Sequence, residues 1–410
     1  MKKLKLKEIS EIYGGYAFKS KDFGVGENFV VKIKDIKPPI IDVENADKVD
    51  VSKYSTQKLE KFKVFPDDIV IAMTGATIGK VGRNKSGRTV FLNQRVAKIN
   101  PNFKEDLDFI YYCISNTVFL EYVLNNVDSK SAQANISHFG IGNFEINWYD
   151  GETRQKIAKV LTCLDDKIFI NNQINQELEA MAKTLYDYWF VQFDFPDQNG
   201  NPYKSSGGKM VYHPELKREI PEGWGVEKLG NVANITMGQS PKGSSYNESG
   251  EGIIFFQGST DFGWRFPVAR QYTTEPSRIA EEDDILLSVR APVGTLNIAD
   301  TRCCIGRGLA AINSKVGANS YIFNVMQDFK KLFDMMNSVG TTFGSITKDD
   351  LYSLQLVYPP TELLMKFDQS VKSFDREIKN RSCQNQELTQ LRDWLLPMLM
   401  NGQVKVEYRK

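Results

Sequence analysis

The chain has 410 residues, 41% of them hydrophobic and 25% charged, enough for two or three domains with substantial cores. Lys and Arg number 52 against 51 Asp and Glu, a net charge of +1 that does not by itself indicate nucleic acid, so any DNA binding must use local basic patches. No apolar run approaches the roughly 18 residues that cross a bilayer, the basic N-terminus lacks an apolar h-region, and five scattered cysteines (Cys113, Cys163, Cys303, Cys304, Cys383) form no CxxC pair. A cytoplasmic, non-membrane protein without disulfide framework or metal site is expected.

The first 150 residues are rich in Val, Ile, Phe and Gly and read as short strands with turns. A long helix is predicted from about Thr153 to Phe190. Residues 191–222, with Asp197-Gln198-Asn199-Gly200-Asn201-Pro202, Ser205-Ser206-Gly207-Gly208 and Pro221-Glu222-Gly223, read as a connector. A second strand-rich segment follows. A second long helix runs from about Thr361, after Pro359 and Pro360, to Leu396, where Pro397 ends or kinks it.

These segments are one unit written twice. Asn-Gln-Glu-Leu occurs at 175–178 and again at 385–388, an offset of 210. At the same offset Ile157, Leu161, Leu164, Ile168, Asn171, Asn175, Leu178, Met181 and Leu185 match Phe367, Val371, Phe374, Ile378, Arg381, Asn385, Leu388, Leu391 and Leu395. The steps are mostly alternating fours and threes, the heptad signature of a coiled-coil seam. Upstream, Pro66-Asp67-Asp68-Ile69-Val70-Ile71-Ala72 matches Glu282-Asp283-Asp284-Ile285-Leu286-Leu287-Ser288, and Gly79 matches Gly294 after a one-residue gap. Asn93-Gln94-Arg95-Val96-Ala97 matches Gly306-Arg307-Gly308-Leu309-Ala310, and Ile136 through Ile146 matches Ile346 through Leu356.

The expected fold is α+β: two mixed, mostly β domains joined by two long helices that form an antiparallel coiled coil, with a pseudo-two-fold internal repeat. At 1.5 Å per residue each helix is roughly 55 Å long, which would place the globular domains at opposite ends of a rod. The Asn171, Asn175, Arg381, Asn385 layer reads as a register-fixing polar layer with no catalytic role.

Several strings carry a family resemblance. Gln155-Lys156-Ile157-Ala158-Lys159-Val160-Leu161 with Leu164-Asp165-Asp166-Lys167-Ile168, continuing to Ala182-Lys183-Thr184-Leu185-Tyr186-Asp187-Tyr188-Trp189-Phe190, resembles the first conserved helix of type I restriction-modification specificity subunits. Residues 391–404, Leu391-Arg392-Asp393-Trp394 through Val404, resemble that family's closing motif. Gly238-Gln239-Ser240-Pro241 with Gly243-Ser244-Ser245-Tyr246-Asn247, and Cys304-Ile305-Gly306-Arg307-Gly308-Leu309-Ala310, resemble parts of a target recognition domain. The resemblance implies a non-catalytic subunit reading a bipartite, asymmetric site on double-stranded DNA. Its helices would bind two modification subunits, and restriction subunits would join that core. No cofactor is expected in this chain; S-adenosylmethionine, ATP and Mg are expected in the partner subunits. The implied boundaries are recognition domain 1 at 1–150, helix 1 at 151–190, connector at 191–222, recognition domain 2 at 223–358, helix 2 at 359–397 and tail at 398–410.

Phosphate contacts need Lys, Arg and small polar groups, and base reading needs Arg, Lys, Asn, Gln, Ser or Thr on projecting loops. The candidates in the first domain are Tyr16, Lys19, Lys21, Thr74, Lys80, Arg83, Gln94, Arg95, Gln133 and Asn135. In the second they are Gln239, Lys242, Ser245, Tyr246, Gln257, Arg290, Arg307, Thr342 and Lys348. Arg95 and Arg307 stand out because they fall in matching or neighbouring positions of the two copies. Catalytic signatures are incomplete. Asn201-Pro202-Tyr203 lacks the second proline of the amino-methyltransferase tetrapeptide, and Gly75 to Lys80 is one residue short of a P-loop. The Asp67-Asp68 and Asp283-Asp284 pairs have no nuclease-type Glu-x-Lys completion, and the two histidines, His138 and His213, lie in separate segments. The rival readings are a fused methyltransferase or nuclease and a stand-alone DNA-binding regulator or structural rod.

Overall fold

The computed structural model describes residues 2–127, 134–338 and 345–407. The protein is α+β and divides into two compact units, Met1–Phe169 with Gln386–Lys410, and Ile170–Asn385. Both divisions fall inside long helices, Gly151–Tyr186 and Thr361–Met400.

In the first unit the strand Val96–Pro101 pairs antiparallel with Ser10–Gly14 on one side and Ile69–Ala72 on the other. Ile69-Val70-Ile71-Ala72 is buried on both faces, as its unbroken apolar run requires. Its alternation splits two cores. Ile69 and Ile71 face a core with Phe109, Phe119, Ile157 and Leu161, while Val70 and Ala72 face one with Val31, Val64 and Leu92. The second unit repeats this plan. Leu309–Ser314 lies between Ala233–Met237 and Ile285–Ser288. Ile285 and Leu287 face the helix-side core, and Leu286 faces Phe256, Cys303 and Ile305. Each unit also has a parallel strand pair, Phe23–Val31 with Val90–Leu92 and Ile253–Phe256 with Cys303–Ile305.

The long helices complete both cores and run antiparallel in each. In the first unit Ile157 and Leu161, near the start of one helix, share a core with Leu396 and Leu399, near the end of the other. In the second unit Ala182 and Tyr186 share a core with Leu364, Phe367 and Val371. The polar layer is built within the second unit. Asn171 Nδ2 donates to Gln384 Oε1 and Asn385 Oδ1, both at 2.8 Å, and Arg381 Nη1 donates to Asn171 Oδ1 at 3.0 Å.

Two expectations are corrected. Met181 and Leu391 are 52% and 43% exposed. The step of three from Leu178 to Met181 breaks the heptad; a step of four lands on Ala182, which is buried, and at the same offset on Arg392, which pairs with Asp165 at 2.9 Å. Choosing the larger apolar neighbour misplaced the seam by one residue. The second helix also continues past Pro397 to Met400. Burial of Leu396 and Leu399 on either side outweighs the local cost of the proline.

The segment after the first helix is an ordered lobe. Asp194 accepts from the Ser205 amide and hydroxyl at 2.7 and 2.6 Å, and Met210–His213 pairs with Arg218–Pro221. Tyr203 stacks on Phe195 at 4.6 Å and donates its hydroxyl to Lys209 O, so the Asn201-Pro202-Tyr203 string is a packing turn.

Phe367→Ala is expected to cost about 3–5 kcal/mol, whereas Met181→Ala should stay within about 0.5 kcal/mol. Urea denaturation followed by circular dichroism measures both. Equal costs would contradict the corrected heptad register.

Candidate nucleic-acid interface

At the end of the Ser10–Gly14 strand, the Gly15 amide donates to Val96 O and the Tyr16 amide to Leu92 O, both at 2.9 Å. A Cβ on Gly15 would stand 2.0 Å from Asn93 O, so only glycine lets the chains pass. Asn93-Gln94-Arg95 is thereby held as a tight turn, closed by Val96 N to Asn93 O at 2.9 Å. Two further segments are tied on. The Met73 amide donates to Arg95 O, and Ile136 donates to Met73 O, both at 3.0 Å, while Thr74 bridges Asn135. Tyr16, Thr74, Gln94, Arg95 and Asn135, far apart in sequence, meet at one rim.

The second unit builds the same rim with the same bonds. Gly238 donates to Leu309 O at 2.9 Å, Gln239 to Ile305 O at 3.0 Å, Val289 to Gly308 O at 2.9 Å and Ile346 to Val289 O at 2.9 Å. A Cβ on Gly238 would lie 2.2 Å from Gly306 O. The register pairs Tyr16 with Gln239, Thr74 with Arg290, Gln94 with Arg307 and Asn135 with Ser345. Arg95, by contrast, corresponds to Gly308. Gln257 belongs to this second rim: its Oε1 accepts from Ser240 Oγ at 3.1 Å, and its carbonyl accepts from Gly308. Ser240, in the Gly-Gln-Ser-Pro string, thus joins the rim although it is not among the residues expected from the sequence. Gln94, Arg95, Gln239, Gln257, Arg290 and Arg307 are exposed.

The other candidates are placed less uniformly. Lys19 and Lys21 are exposed around the single turn Ser20–Asp22, and the Lys19 amide donates to the hydroxyl of Tyr54, whose ring packs on Tyr16. Lys242 is exposed beside Glu275, and Lys348 is exposed with its ammonium 5.0 Å from the Tyr352 ring. Lys80 lines a different hollow, of about 310 Å³, with Tyr112, Asp165 and Arg392. Gln133 and Thr342 lie outside the described residues.

Two candidates are corrected. The Arg83 side chain is buried, paired with Asp108 at 2.6 Å and laid over the Tyr111 ring, so it cannot reach a phosphate without abandoning that pair. Ser245 is buried, donating to Lys242 O at 2.7 Å and bonded to Thr273 Oγ1 at 2.8 Å. Tyr16 and Tyr246 spend their rings on packing, Tyr16 against Phe18 and Phe62 and Tyr246 against Phe255. The paired aspartates are turn-formers. Asp67 and Asp283 both adopt positive φ, and Asp68 and Asp284 accept the amides of Phe65 and Glu281 at 2.7 and 2.9 Å.

Comparison with known proteins settles the ancestry. A family profile described as the type I restriction modification DNA specificity domain matches residues 1–180 and 221–390. The chain belongs to this family. Over 417 residues it is 29% identical to a Methanocaldococcus jannaschii protein named putative type I restriction enzyme MjaX specificity subunit, covering 98% of this chain and 93% of the relative. It is 27% identical over 427 residues, at the same coverage, to the type I restriction enzyme MjaIX specificity subunit of that organism. The fold matches the S subunit of a type I restriction-modification system from M. genitalium with a TM-score of 0.61 at 15% identity, covering 97% of this chain and 96% of that one. In this specificity-subunit chain, no helix among the described residues is long and apolar enough to cross a membrane.

Gly15→Ala and Gly238→Ala are each expected to cost about 1–3 kcal/mol by overpacking the rim. Gly243→Ala, whose added methyl meets nothing within 4 Å, should leave Tm unchanged. Scanning calorimetry decides: if all three melt alike, the rims are looser than their hydrogen bonds indicate.

Proposed function

We propose that this chain is the DNA-reading, non-catalytic subunit of a type I restriction-modification assembly, each rim reading one half of a split, asymmetric site. The observation that carries the reading is the pair of rims: one backbone scaffold built twice, carrying unlike side chains at equivalent positions. Thr74 stands at the position of Arg290 and Gln94 at that of Arg307. Arg donates bidentately to guanine, Gln pairs with adenine, and Thr contacts several bases, so equal scaffolds with unequal groups suit two different half-sites. Lys19, Lys21, Arg95 and Asn135 in one domain, and Lys242, Gln257 and Lys348 in the other, would supply the remaining base and phosphate contacts.

In this reading the long helices carry two modification subunits, and restriction subunits join that core. S-adenosylmethionine, ATP and Mg serve chemistry in those partners. The relatives are named specificity subunits of type I restriction enzymes, which supports a role as one subunit of a larger assembly.

Purified alone, the chain is expected neither to methylate nor to cleave DNA; incorporation of labelled methyl groups by a preparation free of other subunits would overturn that. In the assembled enzyme, exchanging residues 226–350 for those of a relative should change one half-site and spare the other, as read by methylome sequencing. A methylome changed in both halves, or in neither, would defeat the two-rim reading. Arg307→Ala should cost about 1–3 kcal/mol of discrimination at a single base position, measured by competition among duplexes differing at that position.

A further inference from the structure

The two rims differ at one place where two substitutions compensate each other. Ile136 and Ile346 make the same bond to the neighbouring strand, and Ser137 and Thr347 both cap the short helix that follows, accepting from the Gly140 and Asp350 amides. His138 therefore occupies in the first unit the position of Lys348 in the second. Opposite it, Gly14 pairs with Ala97 as Met237 pairs with Ala310. In the first unit the His138 imidazole lies directly on Gly14: a Cβ there would be 2.2 Å from Nε2 and 2.7 Å from Cε1. In the second unit Met237 carries a side chain where Gly14 has none, and Lys348 lies over Tyr352 instead. A glycine that makes room for a histidine in one copy is replaced in the other by a methionine, and the histidine by a lysine.

We infer that His138 is a specificity-determining DNA contact of the first recognition domain, at the position where the second domain uses Lys348. The inference rests on the proposed DNA-reading function. His138 is exposed, and it follows closely on Asn135 at the rim that gathers Thr74, Gln94 and Arg95. Where it packs on Gly14 the ring is partly desolvated, which lowers the imidazole below the usual histidine value and favours its neutral form. A neutral imidazole has one donor and one acceptor, matching the mixed donor and acceptor edges of bases in the major groove. A lysine has donors only and suits a phosphate. The first domain thus makes with an uncharged reader a contact that the second makes with a charge, and the two positions carry different salt dependence.

The test uses the full chain assembled with its modification subunits, and a random-sequence duplex pool bound at several salt concentrations and sequenced. His138→Ala is expected to broaden the preference at one or two positions of one half-site and to weaken binding roughly tenfold, with the salt slope and Tm unchanged. Gly14→Met, which copies the second domain and displaces the ring, should reproduce that broadening. His138→Lys should steepen the salt slope by about 0.9, and Lys348→Ala should flatten it by about 0.9, each being one phosphate contact. Selection by His138→Ala identical to wild type overturns the inference while leaving the DNA-reading function intact. A loss spread over both half-sites with a lowered Tm would show a structural role and overturn it equally. If the wild-type assembly selects no sequence, the proposed function itself fails.

Discussion

Neither long helix can leave its apolar stripe in water, and most of the architecture follows from where the two stripes are buried. Each fully buried large side chain contributes about 1.5–3 kcal/mol. Ile157, Leu161, Phe367, Val371 and Ile378 are all at most 3% exposed. The first unit buries the start of one helix with the end of the other, and the second unit does the converse. Neither core is therefore closed by one copy of the repeat alone. Residues 386–410 belong to the first unit although they end the second copy. This borrowing forces the antiparallel pairing in each unit and makes the connector a poor place to cut the molecule.

Polar contacts then orient what the apolar stripe only brings together. In the second unit Arg265 is 6% exposed and reaches one carboxylate from each long helix, Glu179 at 3.3 Å and Asp375 at 2.5 Å. Burial pushes the Asp375 carboxyl up, and the Arg265 charge opposes that shift. In the first unit Arg392 reaches Asp165, which also accepts from the Tyr112 hydroxyl at 2.8 Å. Such partly desolvated pairs add little net stability, but a slipped or rotated helix would leave their charges unpaired, at a cost of several kcal/mol. The Asn171, Arg381 and Asn385 layer acts in the same sense, because its amides match only one register.

The recognition rims show how a scaffold and a reading surface are kept independent. Their turns are held by backbone hydrogen bonds, and by the glycines at 15 and 238 that permit them, so the exposed Gln94 and Arg307 are not needed to build the turn that carries them. Thr74 and Arg290, or Gln94 and Arg307, can differ without disturbing the turn that presents them. Arg83 and Ser245 lack this freedom, since their side chains hold the domain together.

The sequence by itself determined the duplication, the two long helices, the strand-rich character of both domains and the equivalence of Asn93–Ala97 with Gly306–Ala310. These are periodic or repeated properties, and each is visible within a window of the chain. Which neighbour of a pair is buried was decided only by tertiary structure. Ala182 rather than Met181 faces the seam because the opposing helix, some 200 residues away, sets the stripe. Arg83 is withdrawn from the surface by Asp108 and Tyr111, which no local pattern places beside it. The position of His138 over Gly14 likewise requires the strand that ends in Gly14 and the segment from Asn135 onward to be brought side by side. Burial and pairing are properties of contacts between distant segments, and the chain encodes those only through the fold.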